Sequence, residues 1–131
     1  MRLLIIDDSS LARTRIKSFF SETANIEFAE AANGIEALEK HRIFSPNVII
    51  LDYIIPAPDG LAILKIISQI DNNAKVIMIT TLGNQKYIYE DCVKCGASAI
   101  LTKPLTKAVM MEAIQKAIPE IRICDSKGDI G

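Results

Sequence analysis

Five polar residues in this chain stand at the ends of apolar runs. Asp7 and Asp8 follow residues 3–6, Asp52 follows 48–51, Thr80 follows 76–79, and Lys103 comes just after 99–101. If the runs are parallel strands, their carboxyl ends share one rim, and three carboxylates, a hydroxyl and an ammonium meet there although they are far apart in sequence. Carboxylates a few ångströms apart repel one another, so such a cluster tends to hold a proton or a cation. All-oxygen donors with open positions suit Mg²⁺, which takes one or two carboxylates together with waters and phosphate oxygens. A lysine about 4 Å from a carboxylate gains roughly 4 kcal/mol at an effective dielectric near 20. Lys103 can therefore keep Asp52 ionised and neutralise an added anionic group. An acidic pair at a strand end often does no more than cap the next helix. It is the combination on one rim that points to chemistry.

The elements that position these residues are legible from periodicity. Residues 3–6, 26–30, 48–51, 76–79 and 99–101 read as five strands. The continuous apolar runs suit strands buried on both faces, and the alternating second strand suits an edge. Helices lie between them. The first carries Ala12, Ile16, Phe19 and Phe20 on one face, and the second starts at Asn33 with Glu36 in a capping box and carries Ile35 and Leu38. The third follows Asp59 as N-cap and carries Ile63, Ile67 and Ile70. The fourth spans about residues 85–94. The fifth follows Thr106 and turns Met110, Met111, Ile114 and Ile118 inward. Strict alternation implies an α/β fold with a doubly wound five-stranded parallel sheet. The reading divides the chain into a domain over residues 1–118 and a polar tail over 119–131 without periodicity.

Bulk properties exclude other classes. The net charge of −1 offers no basic surface to nucleic acid, and half of the 131 residues are hydrophobic, enough for a core at this length. The apolar start is four residues long, with no signal peptide, and no stretch approaches the roughly 18 residues that span a bilayer. A cytoplasmic protein with no membrane partner is expected. Of three cysteines, Cys92 and Cys95 form a C-x-x-C. A zinc site would need about four ligands, with only Cys124 and His41 left to supply them. Structural thiols are expected. His41, between Lys40 and Arg42, reads as part of a solvated helix face.

The motif set resembles the receiver domains of response regulators over about residues 2–118, most closely the stand-alone CheY-like type. The matching motifs are Asp7-Asp8-Ser9 with Arg13, Asp52-Tyr53-Ile54-Ile55-Pro56-Ala57-Pro58-Asp59-Gly60, Thr80-Thr81-Leu82-Gly83, Gly96-Ala97 and Lys103-Pro104. The resemblance implies the flavodoxin-like strand order 2-1-3-4-5. It implies Asp52 as phosphoacceptor from a sensor histidine kinase, with Mg²⁺ held by Asp7, Asp8, Asp52 and the Ile54 carbonyl, and phosphoryl oxygens met by Lys103 and Thr80. It implies a signalling module rather than an enzyme, whose downstream protein target binds the face of helix 4, strand 5 and helix 5, with chemotaxis as the leading pathway. No output domain follows residue 118, so signalling by protein binding rather than DNA binding is expected. The alternative is a receiver detached from a larger regulator.

Four positions depart from the family pattern. Ile100 replaces the aromatic that usually partners the threonine, which directs attention to Tyr87 and Tyr89. Thr81 stands where a very small residue is usual and narrows access. Ile54 and Leu82 flank the site, are apolar, and cannot orient a hydrolytic water, so slow self-dephosphorylation is expected. A flavodoxin would need a Ser/Thr/Gly-rich phosphate loop in place of Asp7-Asp8. A dehalogenase-type phosphatase would need a second aspartate where Ile54 stands.

Overall fold

The computed structural model describes residues 1–81 and 85–121, and the backbone of 124–125 and 128–129. Five parallel strands, β1 (Arg2–Ile6), β2 (Glu27–Ala31), β3 (Val48–Asp52), β4 (Lys75–Thr80) and β5 (Ala99–Thr102), form one sheet in the order β2-β1-β3-β4-β5. Helices α1 (Ser10–Ser18), α2 (Gly34–Phe44), α3 (Gly60–Ile70), α4 (Lys86–Lys94) and α5 (Lys107–Ala117) connect them. The expected fold class and strand order are observed.

Two-residue periodicity sorts each central strand into two cores. Leu3, Ile5, Val48, Ile50, Ile77 and Ile79 pack with Ile16, Phe19 and Phe20 from α1 and its exit, and with Met110, Met111 and Ile114 of α5. Leu4, Ile6, Ile49, Leu51, Val76 and Met78 pack with Ala37 of α2, Ile63, Leu64 and Ile67 of α3, and Ile88 and Cys92 of α4. The central strands are apolar on both faces for this reason. The edge strand β2 is half-buried over Phe28–Glu30 and fully buried only at Ala31, as suits a strand paired on one side.

Side chains set the helix starts. Ser9 Oγ accepts from the Ala12 amide at 3.1 Å, Asn33 Oδ1 from Glu36 at 2.9 Å, Asp59 Oδ1 from Ala62 at 2.9 Å, and Thr106 Oγ1 from Val109 at 3.2 Å. Glu36 reaches back to the Ala32 amide at 3.0 Å, one residue before the cap. Gly60 is demanded by close approach: a Cβ there would collide with the carbonyl oxygens of Asp52 and Tyr53, the latter at 2.7 Å.

The helix faces differ from expectation in places. Ile35 and Ile70 lie exposed, because α2 turns Gly34 and Ala37 inward and α3 turns Gly60, Ile63, Leu64 and Ile67. Phe19 and Phe20 lie beyond α1, in a tightened turn that still buries both rings. The tail carries some pairing: Cys124–Asp125 and Gly128–Asp129 form a short antiparallel ladder, β6 and β7. His41 is not on a solvated face. Its Nε2 lies 2.9 Å from Asp71 Oδ2, with only 11% of the side chain exposed. This bond holds the Asp71 carboxyl below its usual range. Asp71 in turn accepts from the Asn73 and Ala74 amides, tying α2 to the turn after α3. Cys92 is buried in α4 and Cys95 caps it, both as free thiols. The Cys124 side chain lies outside the described residues. No helix among the described residues is long and apolar enough to cross a membrane.

Candidate functional site: an acid pair and a lysine at the carboxyl rim

Register brings the first two acids together. Ile6 pairs with Leu51 across β1 and β3, so the next step along both strands sets Asp7 beside Asp52. Neighbouring strands run about 4.8 Å apart, which places the two carboxyls side by side. Asp52 is in turn paired with Ile79, and Thr80 with Thr102. Asp7, Asp52 and Thr80 are all buried, a rare location for carboxylates unless they are partnered.

The partner is Lys103. The bond from its amide to the Thr80 carbonyl, 3.0 Å, carries the β4–β5 pairing one residue past β5. Its Nζ donates to Asp52 Oδ2 at 2.9 Å and lies 3.6 Å from Asp7 Oδ2. The following Lys103–Pro104 peptide is cis. Main-chain amides hold the remaining oxygens: Ser9 donates to Asp7 Oδ1 and Ile54 to Asp52 Oδ1, each at 2.9 Å.

The electrostatics follow from this packing. Burial pushes the Asp7 carboxyl above its ordinary value, and the adjacent Asp52 adds to the rise, while the Ser9 amide and Lys103 oppose it. For Lys103, burial works against the charged form. The hydrogen bond and charge of Asp52, joined by those of Asp7, outweigh it and hold the ammonium above its ordinary value. One ammonium thus serves two buried carboxylates. Such an arrangement is short of positive charge and suits a hard divalent cation that takes one or two carboxylates and keeps its waters.

Of the expected site residues, Asp7, Asp52 and Lys103 are brought into contact, and Thr80 ends the adjoining strand. Asp8 is exposed on the rim. Successive residues of extended chain point to opposite sides, so Asp7 turns in and Asp8 turns out. Among the described residues, no three Asp, Glu, Cys or His side chains gather into a ready-made metal group. Ile54 stands 58% exposed beside the site. Thr81 is exposed and lines a cavity of about 420 Å³ with Asp7, Ala12, Ile16, Lys103, Pro104 and Leu105. Leu82 and Gly83 lie outside the described residues. Ile100 is half-buried in β5, and Tyr87 and Tyr89 are exposed on α4.

The family model for the response regulator receiver domain matches residues 3–115. The chain belongs to the response regulator receiver family. This receiver is 36% identical over 117 residues to the chemotaxis protein CheY of Bacillus subtilis (strain 168), a match that covers 89% of this chain and 97% of the relative. It is 38% identical to the chemotaxis protein CheY of Listeria monocytogenes, over 89% and 98% of the two chains. Among solved structures, the CheX–CheY–BeF₃–Mg²⁺ complex from Borrelia burgdorferi superposes with a TM-score of 0.83 at 33% identity, covering 90% of this chain and 89% of that one. These matches place the receiver with the CheY-like signalling modules.

One further contact reaches this rim that periodicity does not foretell: Arg13 of α1 donates to the Asp7 carbonyl and, through Nε, to Glu30 of β2.

Proposed function

We propose that this receiver is a phosphorylation switch that takes a phosphoryl group on Asp52 from a phosphohistidine of a sensor histidine kinase. The observation that carries the reading is the buried Asp7–Asp52 pair with Lys103 Nζ 2.9 Å from Asp52 Oδ2. The Asp52 carboxylate attacks phosphorus. The P–N bond to the histidine breaks, its electron pair stays on nitrogen, and an O–P bond to Asp52 forms. The residues that would hold Mg²⁺ are Asp7 and Asp52, with Asp8 at the exposed rim and the Ile54 carbonyl. Bound there, the ion would neutralise charge on the transferring group and orient it. Lys103 is placed to follow the new negative charge, and Thr80 stands at the adjoining strand end, where its hydroxyl would donate a hydrogen bond to a phosphoryl oxygen.

The output face in this reading is α4, β5 and α5. Tyr87, Tyr89 and Val93 of α4 and Val109 of α5 are exposed there, and β5 is an edge strand open to a protein partner. The working unit is residues 1–118, acting by protein binding in the cytoplasm rather than as an enzyme or a DNA binder. The names of its relatives favour chemotaxis.

Treatment with acetyl phosphate and MgCl₂, read by intact mass, tests the assignment. Wild type should gain one phosphoryl mass and lose that gain when Mg²⁺ is chelated beforehand. Asp52→Asn should gain none. Equal labelling of wild type and Asp52→Asn would reject Asp52 as the acceptor.

A further inference from the structure

The main chain of Asp7 is held at both its amide and its carbonyl, and the carbonyl is the one that begins the peptide to Asp8. The Asp7 amide donates to the Ala31 carbonyl of β2 at 3.1 Å. The Asp7 carbonyl accepts from Arg13 Nη1 at 2.6 Å. Arg13 does not reach across freely: its Nε donates to Glu30 Oε1 at 2.9 Å, and its side chain is 16% exposed. Glu30 is fixed in turn, because Lys17 Nζ donates to Glu30 Oε2 at 2.8 Å. The Lys17 hydrogen bond, with Arg13 behind it, holds the Glu30 carboxyl below its usual range against burial. Both cations lie on α1, one turn apart, and the carboxylate lies on β2.

The carbonyl that Arg13 holds and the amide of Asp8 belong to one planar unit. Pinning that oxygen fixes the plane of the peptide, and with it the Cα of Asp8 and the direction its side chain leaves the rim. Asp7 is pinned at the same time through its Oδ1, which accepts from Ser9. A planar guanidinium suits this task because one fork serves two acceptors in a set geometry, which an ammonium does not reproduce.

We infer that Arg13, braced by Glu30, is a positioning residue that orients the Asp7–Asp8 peptide and so sets the affinity of the acid loop for a divalent cation. The inference rests on the proposed Mg²⁺-dependent switch. It assigns to α1 and β2 a part in the site that the acidic residues alone do not reveal. Groups that orient a ligand from behind commonly change metal affinity by about 10–100-fold when removed.

The experiment compares wild type, Arg13→Met, Arg13→Lys and Glu30→Gln. MgCl₂ affinity is measured by calorimetry, amide hydrogen exchange is followed without metal, and labelling by acetyl phosphate is run across a range of MgCl₂ concentrations. Arg13→Met should weaken Mg²⁺ binding about tenfold or more, and speed exchange at the hydrogen-bonded amides of Asp7 and Ser9 relative to core amides. Its labelling by acetyl phosphate should need correspondingly more MgCl₂ to reach half of its own maximal rate. Glu30→Gln should shift affinity in the same direction by less, and Arg13→Lys should restore part of it. The last two keep side-chain bulk and carry the test if Arg13→Met does not fold. Unchanged Mg²⁺ affinity in folded Arg13→Met and Glu30→Gln, with wild type binding normally, would overturn this inference alone. Wild type that neither binds Mg²⁺ nor takes a phosphoryl group would overturn the proposed function and this inference with it.

Discussion

Replacing Lys103 with methionine keeps the stem and removes the charge between two buried carboxylates. At 2.9 Å to Asp52 and 3.6 Å to Asp7, Coulomb's law with an effective dielectric near 20 gives gross attractions of about 6 and about 5 kcal/mol. Desolvation of the three ions cancels most of that. Removing one partner of a buried pair costs about 3–5 kcal/mol. Lys103 is about one-third exposed, so water screens the pair and an expected loss of about 2–3 kcal/mol follows. The acid pair has one escape, which is to take up a proton. Without the ammonium that opposes it, the Asp7 carboxyl rises further in the folded protein, while the unfolded chain titrates near 3.8. A folded value above the unfolded one means that stability recovers as pH falls through the folded value towards the unfolded one. Urea unfolding of wild type and Lys103→Met, followed by circular dichroism in metal-free buffer, should show the full deficit at about pH 8 and a smaller one at about pH 5. A deficit of equal size at both values, or none at either, would refute the account of Lys103 as the shared counter-charge.

Asp7→Asn should raise the melting temperature of the metal-free protein at neutral pH, because an ionised Asp7 is held above its ordinary value and opposes folding there. The gain should fade as pH drops through the folded value and wild type takes up its own proton, and thermal melts across that range check the sign. Gly60→Ala should cost more than about 2 kcal/mol, since its methyl group meets backbone rather than a movable side chain, and denaturant midpoints would show it. Ile54→Asn should shorten the lifetime of phosphorylated protein several-fold or more by replacing an exposed apolar cover with a group able to hold water, whereas wild type should decay over minutes or longer. Loss of label from wild type within seconds contradicts this.

Much of the site was legible because strand ends are legible. Residues 48–51 are apolar without interruption, so Asp52 had to fall at the end of a buried strand, and the same argument placed Thr80 and Lys103. What the linear pattern does not contain is phase. It groups Asp7 and Asp8 together at the rim, whereas the strand pairing that joins Ile6 to Leu51 sets Asp7 beside Asp52 and leaves Asp8 exposed. The helix faces failed for a related reason. Ile35 and Ile70 are apolar, yet α2 turns inward the side that carries Gly34, packed against Pro58 and Ile63, and Ala37, and α3 turns inward the side that carries Ile63, Leu64 and Ile67. His41 and Glu30 look like ordinary surface residues until tertiary contact supplies Asp71 and Arg13. Ion pairs between distant elements leave no periodicity to read.

The two-core sorting of β1 and β3 has a consequence for how the chain can change. Leu3 and Ile5 lead to Asp7, and Val48 and Ile50 lead to Asp52, on the same odd or even step as the α1–α5 core. Deleting one residue from either strand would therefore do two kinds of damage at once. It would exchange the occupants of both cores, and it would turn one acid away from the other. The arithmetic of the strand is thus shared between folding and chemistry. Loops may lengthen without touching it, but no single-residue slip in β1 or β3 can spare one and lose only the other.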